Sequence, residues 1–258
     1  MLARWLSMII DPLFYAAAIP AVTLYGLSKG GFQGIGILSM PLLSLVIAPV
    51  QAAAIMLPVL MVQDVVTVWS YRRTWHGPTL AHLVPGALAG ILAGYLFASI
   101  VSDPAIRLIV GTIAVGFCLD RWFRPRSEVA TTQPQSWLWG TVFGALSGYT
   151  SFVIHIGGPP FNVYAMPRGL SRDVFVGTSA IFFAGVNWVK VPPFLALGQM
   201  NLENLGTSAV LFPLAIASNA AGIWLVRRVA PAAFYRMIYA LTFLVGSFLL
   251  MSGIRAYL

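Results

Sequence analysis

Charge is what this chain has least of. Only 9% of its 258 residues are Asp, Glu, Lys or Arg, against roughly 25% in an ordinary soluble domain. A soluble fold of this length would still expose a large surface, and there are too few polar residues to cover it. Acidic residues are the scarcest, seven against fifteen Lys and Arg, and no paired intramembrane aspartates or carboxylate clusters occur for a cation path. Cysteine is nearly absent. The single Cys118 lies in an apolar run, which excludes disulfides and Cys-ligated metal sites. Also missing are His-Glu-x-x-His, Gly-x-Ser-x-Gly and Walker A patterns. An intramembrane protease or ATP-driven pump is therefore unsupported, and no enzyme activity, cofactor or metal is expected. Met1 to Asp11 has neither a basic n-region nor a small-residue cleavage site, so a removable signal peptide is not expected.

What the chain has is apolar length. Hydrophobic residues make up 59% of it and the mean hydropathy is +0.86, the profile of an integral membrane protein with room for roughly eight to ten membrane segments. The formal charge of +8 and pI near 10.1 come mainly from Arg residues placed singly or in pairs between apolar runs. There is no basic stripe interleaved with aromatics, so the Arg residues read as topology signals and nucleic acid is rejected as a partner. The runs predict a broken hairpin over 12–48, helices over 51–70, 80–100 and 104–120, a linker over 126–136, a second hairpin over 137–167, and helices over 174–197, 205–226 and 232–252. Trp5, Trp69, Trp75, Trp122, Trp137 and Trp139 fall near run ends, as interfacial belt residues do.

The two halves, 1–125 and 137–258, resemble each other. A shift of 126 residues aligns Gly31 with Gly157 and Met40-Pro41 with Met166-Pro167. A shift of 128 aligns Ala81, Leu83, Pro85 and Gly94 with Ala209, Leu211, Pro213 and Gly222. Each half reads as a hairpin plus three crossings, an odd net count, so the halves should have opposite orientation. With both termini outside, the inner loops hold Arg72, Arg73, Arg121, Arg124, Arg126, Arg168, Arg172, Arg227 and Arg228. The outer ends hold only Arg4, Arg107 and Arg255, with Asp11, Asp103 and Glu203. That bias obeys the positive-inside rule. The expected fold class is all-α integral membrane with two inverted repeats, an architecture that recurs in secondary transporters with binding sites at broken helices near the midplane.

Candidate site residues follow from the breaks. The first runs from Gly26 to Gly36 through Ser28-Lys29-Gly30-Gly31, and the second passes through His155-Ile156-Gly157-Gly158-Pro159-Pro160. Glycines allow sharp bends and expose backbone N–H groups, and a helix restarting there offers its positive end to an anion. The offset of 126 pairs Lys29 with His155, so each break carries a potentially cationic side chain. The bland alternative is close helix packing through Gly, with Lys29 reaching an interface. Asn162, Thr178, Ser179 and Asn187 supply neutral hydrogen-bonding groups. Lys190 lies inside the run 174–197, where a charge is costly and is usually functional or paired. Its repeat mate Asp64 lies inside 51–70. Three readings stay open here: an Asp64–Lys190 ion lock, a proton-carrying Asp64 with Lys190 as anion contact, and a Lys190 that merely snorkels. Arg107 and Arg236 read as interface markers, and His76 and His82 as interfacial residues flanking a helix start.

At these residues the chain resembles the TauE/SafE-type family of sulfite exporters, also called 4-toluene sulfonate uptake permeases. The resemblance rests on Gly26-Leu27-Ser28-Lys29-Gly30-Gly31-Phe32-Gln33-Gly34-Ile35-Gly36 with Pro41, on Gly157-Gly158-Pro159-Pro160, on Val176-Gly177-Thr178-Ser179, and on the Asn187–Lys190 spacing followed by Gly198. It implies transport of a small sulfur-containing anion such as sulfite, sulfoacetate, another sulfonate or thiosulfate across a bacterial inner membrane. Thr150 to His155 is less Gly-rich than the family pattern leads one to expect. The expected function is a secondary transporter, an exporter in the first instance, with the lipid bilayer and a small anion as partners. Monomer and homo-oligomer both stay open. A membrane assembly or anchoring protein without transport is the alternative from another class, and a permease for another small anion or a cation ranks after it.

Overall fold

The computed structural model describes residues 8–97, 103–123 and 136–257. Most of the linker 126–136, the last residues of the run 80–100, and Arg4, Trp5, Arg124 and Arg126 lie outside the described residues. Every regular element described is helical. In chain order they are α1 (Pro12–Gly30), α2 (Ser39–Leu43), α3 (Pro49–Tyr71), α4 (Gly77–Phe97), α5 (Asp103–Phe123), α6 (Trp137–Ile154), α7 (Gly158–Ala165), α8 (Arg172–Ala196), α9 (Leu202–Arg228) and α10 (Pro231–Arg255).

Start signals account for several boundaries. Asp11 accepts a hydrogen bond from Leu13 N–H and precedes Pro12 at the first helical position. Ser136 caps α6 through Trp139 N–H, and Asn201 caps α9 through Asn204 N–H. Proline opens α3 and α10 as well. Among the described residues five helices, α3, α4, α8, α9 and α10, are long and apolar enough to cross a bilayer. Large apolar side chains on them stand outward, among them Val65, Leu88, Leu92, Trp188, Ile216 and Leu244. An outward apolar surface is what hydrocarbon solvates, and water does not. The protein is therefore an all-helical, multi-pass membrane protein.

The hairpins are asymmetric. α1 has 19 residues and α6 has 18, whereas the return limbs are α2 with five residues and α7 with eight. At about 1.5 Å per residue, neither return helix crosses a core of about 30 Å by itself.

The described chain forms two compact units, and each takes helices from both halves of the sequence. The first combines Met1–Arg73 with Phe183–Val229, and the second combines Thr74–Phe182 with Ala230–Leu258. In the first unit α9 packs along α1 and α3. Gly26 and Gly30 bring α1 against α9 so closely that a Cβ on Gly30 would lie 2.6 Å from Ile223 N. Polar bonds join α3 to α9, with Thr67 and Asn219 bonded side chain to side chain and Ser208 Oγ donating to Ile55 O at 2.8 Å. In the second unit α6 packs along α4, and α10 along α5. Around α7 the rings of Phe161, Phe175, Phe182, Phe234 and Tyr235 interlock at 5–6 Å centroid spacing.

Candidate functional site

The first unit concentrates charge where the sequence has almost none. Lys29 lies in the last turn of α1, where the carbonyl end of the helix favours a cation. Its Nζ pairs with Asp64 Oδ1 from the middle of α3. The other carboxylate oxygen, Oδ2, accepts from Asn187 Nδ2 of α8 at 2.6 Å. Lys190, one turn beyond Asn187, is 0% exposed, and both Lys29 and Asp64 act on it electrostatically. Asp64 and Asn187 are each 2% exposed. The Phe183 ring lies 5.5 Å from Lys29 Nζ and closes that side of the cluster.

The two ends of Asp64 are thus held by a lysine from one helix and an amide from another. The structure pairs Asp64 with Lys29, a combination outside the readings that the spacing of Asp64 and Lys190 suggested. Among the described residues the cluster sets two lysines against one carboxylate, a formal surplus of one positive charge when all three groups are ionised. With Asp64 buried and Lys29 only partly so, the pair gains from attraction only what its desolvation does not take back. Two lysines gathered around one carboxylate raise the local potential in favour of an anion.

Gly30 and Gly31 have local duties. Gly30 permits the α1–α9 approach. Gly31 leaves α1 with φ +140, and its N–H donates to Ser28 O. Gly34, at φ +115, completes the turn. Ser28 is half-buried beside Gly36, where a Cβ would meet its side chain at 2.9 Å.

The remaining candidates, His155, Gly157, Gly158, Asn162, Thr178 and Ser179, belong to the second unit. His155 is buried and ends α6 in the left-handed conformation, φ 55 and ψ 28. In the backbone it therefore occupies the place that Gly31 occupies after α1, two residues from the alignment that matched it to Lys29. A left-handed L-residue costs about 1–2 kcal/mol. His155→Gly should accordingly be more stable than His155→Ala by about 1 kcal/mol, read by thermal unfolding of the two variants. Equal melting would mean that the histidine backbone carries no such strain.

Gly157 O accepts from Ser147 Oγ at 2.7 Å, and a Cβ on Gly158 would meet nothing within 4 Å. The expected nest of N–H groups is thinner than the glycines suggest, because Pro159 and Pro160 follow at once and carry no N–H. Asn162 Nδ2 donates to Thr242 Oγ1 at 3.2 Å, while its Oδ1 is buried without a partner among the described residues. Thr178 Oγ1 is engaged twice, donating to Val174 O and accepting from His76 N–H. Ser179 is buried on the same helix.

Sequence reasoning passed over several polar neighbours. Gln63 is 0% exposed and donates from Nε2 to Val22 O, leaving Oε1 buried without a partner among the described residues. Thr67 and Asn219 are also 0% exposed. All three interrupt apolar runs, and that interruption was the available signal.

A multi-pass helical protein with a lysine-rich polar cluster buried in one unit has the make-up of a transporter of small ions, and the wider comparison agrees. The family model described as "Sulfite exporter TauE/SafE" matches residues 18–249. The chain belongs to that family of membrane transporters. No curated protein and no solved structure matches the chain significantly.

Proposed function

We propose that the protein is a secondary transporter that exports a small sulfur oxyanion, such as sulfite, sulfoacetate or another organosulfonate, by alternating access in a bacterial inner membrane, with both termini outside. The observation that carries this reading is the half-buried Lys29 set against the buried Asp64, Asn187 and Lys190, two lysines to one carboxylate among the described residues, in an apolar unit of the chain. Asp64 serves as the internal counter-ion of Lys29. An entering anion takes Lys29 from it, and the released carboxylate keeps the Asn187 amide and becomes available to a proton. Lys190 adds positive potential without having to move.

The alternating step rests on halves 1–125 and 137–258 acting as inverted repeats. Helix packing supports that correspondence. If α1 answers to α6 and α4 to α9, the α1–α9 pair of one unit answers to the α6–α4 pair of the other. The agreement extends to residues, for Gly222 abuts Gly26 and Leu27 while Gly94 abuts Phe152. Shifts of 128 and 126 carry one contact onto the other.

An interior-negative potential expels anions, with about 2.3 kcal/mol gained per charge per 100 mV, or roughly 50-fold in the equilibrium ratio. Purified protein in liposomes should move labelled sulfoacetate and sulfite saturably and accumulate them on the positive side. Lys29→Ala at matched protein amount should lower flux at least about tenfold, the loss of one charge-assisted contact. Flux no greater than in protein-free liposomes would remove transport of these anions, and parental flux in Lys29→Ala would remove Lys29 from the site.

A further inference from the structure

A second polar group, of one arginine, two histidines and a tyrosine, occurs in the other unit and shares no residue with the Lys29 cluster. Arg168 ends the short 3-10 turn after α7. Its guanidinium carbon lies 4.0 Å from the Tyr164 ring centroid, so the ring one helical turn earlier supports the guanidinium plane. The Tyr164 hydroxyl is 2.8 Å from His82 Nδ1 on α4. His76, just before α4, has its Nδ1 2.8 Å from Thr79 Oγ1, and its backbone N–H donates to Thr178 Oγ1 at 2.9 Å.

Two features point to a ligand. Arg168 Nε and Nη1 are buried and have no hydrogen-bond partner among the described residues. Buried donors are normally satisfied, and a charged one left unsatisfied costs more than a neutral one. The second feature is the sign of the surroundings. Burial, then the charges of Arg168 and His82, hold the His76 imidazole below the usual histidine range. The acid nearest Arg168 in sequence, Asp173, is engaged by Arg172 Nε at 2.9 Å. A guanidinium with unused N–H donors and, among the described residues, no carboxylate of its own matches the geometry and charge of an oxyanion.

We propose that Arg168, His76, His82 and Tyr164 form an accessory binding site for a small oxyanion of the sulfate or sulfite type. Arg168 supplies the permanent charge and the buried donors, held in place by Tyr164. His76 supplies a second charge when it takes up a proton. If the loops rich in arginine face inward, this site faces the cytoplasm, where it senses the anion level. The pH sign follows from linkage. The imidazole gains a proton more readily when an anion lies beside it, so the anion raises the His76 pKa, and by reciprocity the site binds more tightly as pH falls through that pKa.

The chain has three histidines, so isotope labelling of histidine in the whole protein gives a spectrum simple enough to follow each ring. The probe is inorganic sulfate, whose charge is constant between pH 5 and 8. Sulfate should shift the His76 and His82 signals saturably and raise the His76 pKa by about half a unit, a roughly threefold coupling. Arg168→Ala should weaken the effect at least about tenfold and Arg168→Lys less, because lysine keeps the charge but loses the planar donors. Lys29→Ala should leave it intact. The proposal is overturned if His76 titrates identically with and without sulfate, if Arg168→Ala responds as the parent does, or if Lys29→Ala abolishes the shift. Should Arg168→Ala not fold, the titration of the parent decides alone. Transport by the Lys29 cluster can fail or succeed independently of this result.

Discussion

Asp64→Asn should lower stability and raise anion affinity, while Lys29→Met should leave stability near that of the parent and lower anion affinity. The expectation follows from counting charge in the buried cluster of the first unit. The parent has two lysines against one carboxylate. Asp64→Asn removes the carboxylate that both lysines feel and leaves one side-chain oxygen for two donors, Lys29 and Asn187, which in the parent bond separate oxygens. Removing one partner of a buried pair costs about 3–5 kcal/mol. The same surplus should bind sulfoacetate more tightly than the parent does, because the anion no longer competes with a carboxylate. Saturating anion should then restore much of the lost melting temperature, about 2.7 kcal/mol at a hundred times Kd. Lys29→Met leaves Asp64 facing Lys190 alone, with no net charge. Such a protein should melt close to the parent and bind anion at least about tenfold more weakly, one charge-assisted hydrogen bond being worth about 1.5–3 kcal/mol. Thermal unfolding and calorimetric titration with sulfoacetate read both quantities. If Asp64→Asn weakens binding together with Lys29→Met, the carboxylate is part of the anion contact and the competition scheme is wrong.

The helices were legible in the sequence because a bilayer writes them as apolar runs. The run 51–70 became Pro49–Tyr71, and 174–197 became Arg172–Ala196. Errors arose where capping is polar. The run read from 205 begins at Leu202, because Asn201 is a cap and not loop, and Leu-Glu-Asn belongs to the first turn. Pro58, Pro85, Pro192, Pro193 and Pro213 sit inside helices that run through them, as a lipid-embedded helix allows when neighbours re-satisfy the freed carbonyls. The members of the charged cluster were legible for the same reason, since Lys29, Asp64, Asn187 and Lys190 each break an apolar run. Their pairing was not. Sequence spacing relates Asp64 to Lys190 through the repeat, but the ion pair forms with Lys29, 35 residues away on a different helix. Distances between helices are set by packing, and small residues set them here.

Gly144→Val should prevent the second unit from packing, whereas Gly116→Ala and Gly185→Ala should be tolerated. A Cβ on Gly144 would lie 2.1 Å from Leu83 O, and the reciprocal approaches are equally close: Gly86 to Thr141 O at 1.9 Å, Gly90 to Ala145 O at 2.1 Å and Gly148 to Ala87 O at 2.3 Å. In each case the obstacle is backbone, so no rotamer change relieves it. α4 and α6 would have to move apart along their whole contact, giving up dispersion and Cα–H···O contacts that hold helices together in lipid. Overpacking a tight interior costs about 1–3 kcal/mol for a side chain that can yield, and a β-branched residue against a carbonyl should exceed that range. At Gly116 and Gly185 a Cβ would meet nothing within 4 Å, and Ala there gains up to about 1 kcal/mol of helix propensity over Gly. Thermal unfolding of the three variants in detergent distinguishes the cases, and a Gly144→Val protein that melts with the parent would show that α4 and α6 do not approach this closely. The outcome also decides how mutants of the first break are read. Gly30 lies 2.6 Å by the same measure from Ile223 N, so a silent Gly30→Ala reports a failed α1–α9 fit. Lys29, whose side chain leaves that interface for Asp64, is the position where loss of flux at parental stability implicates the anion.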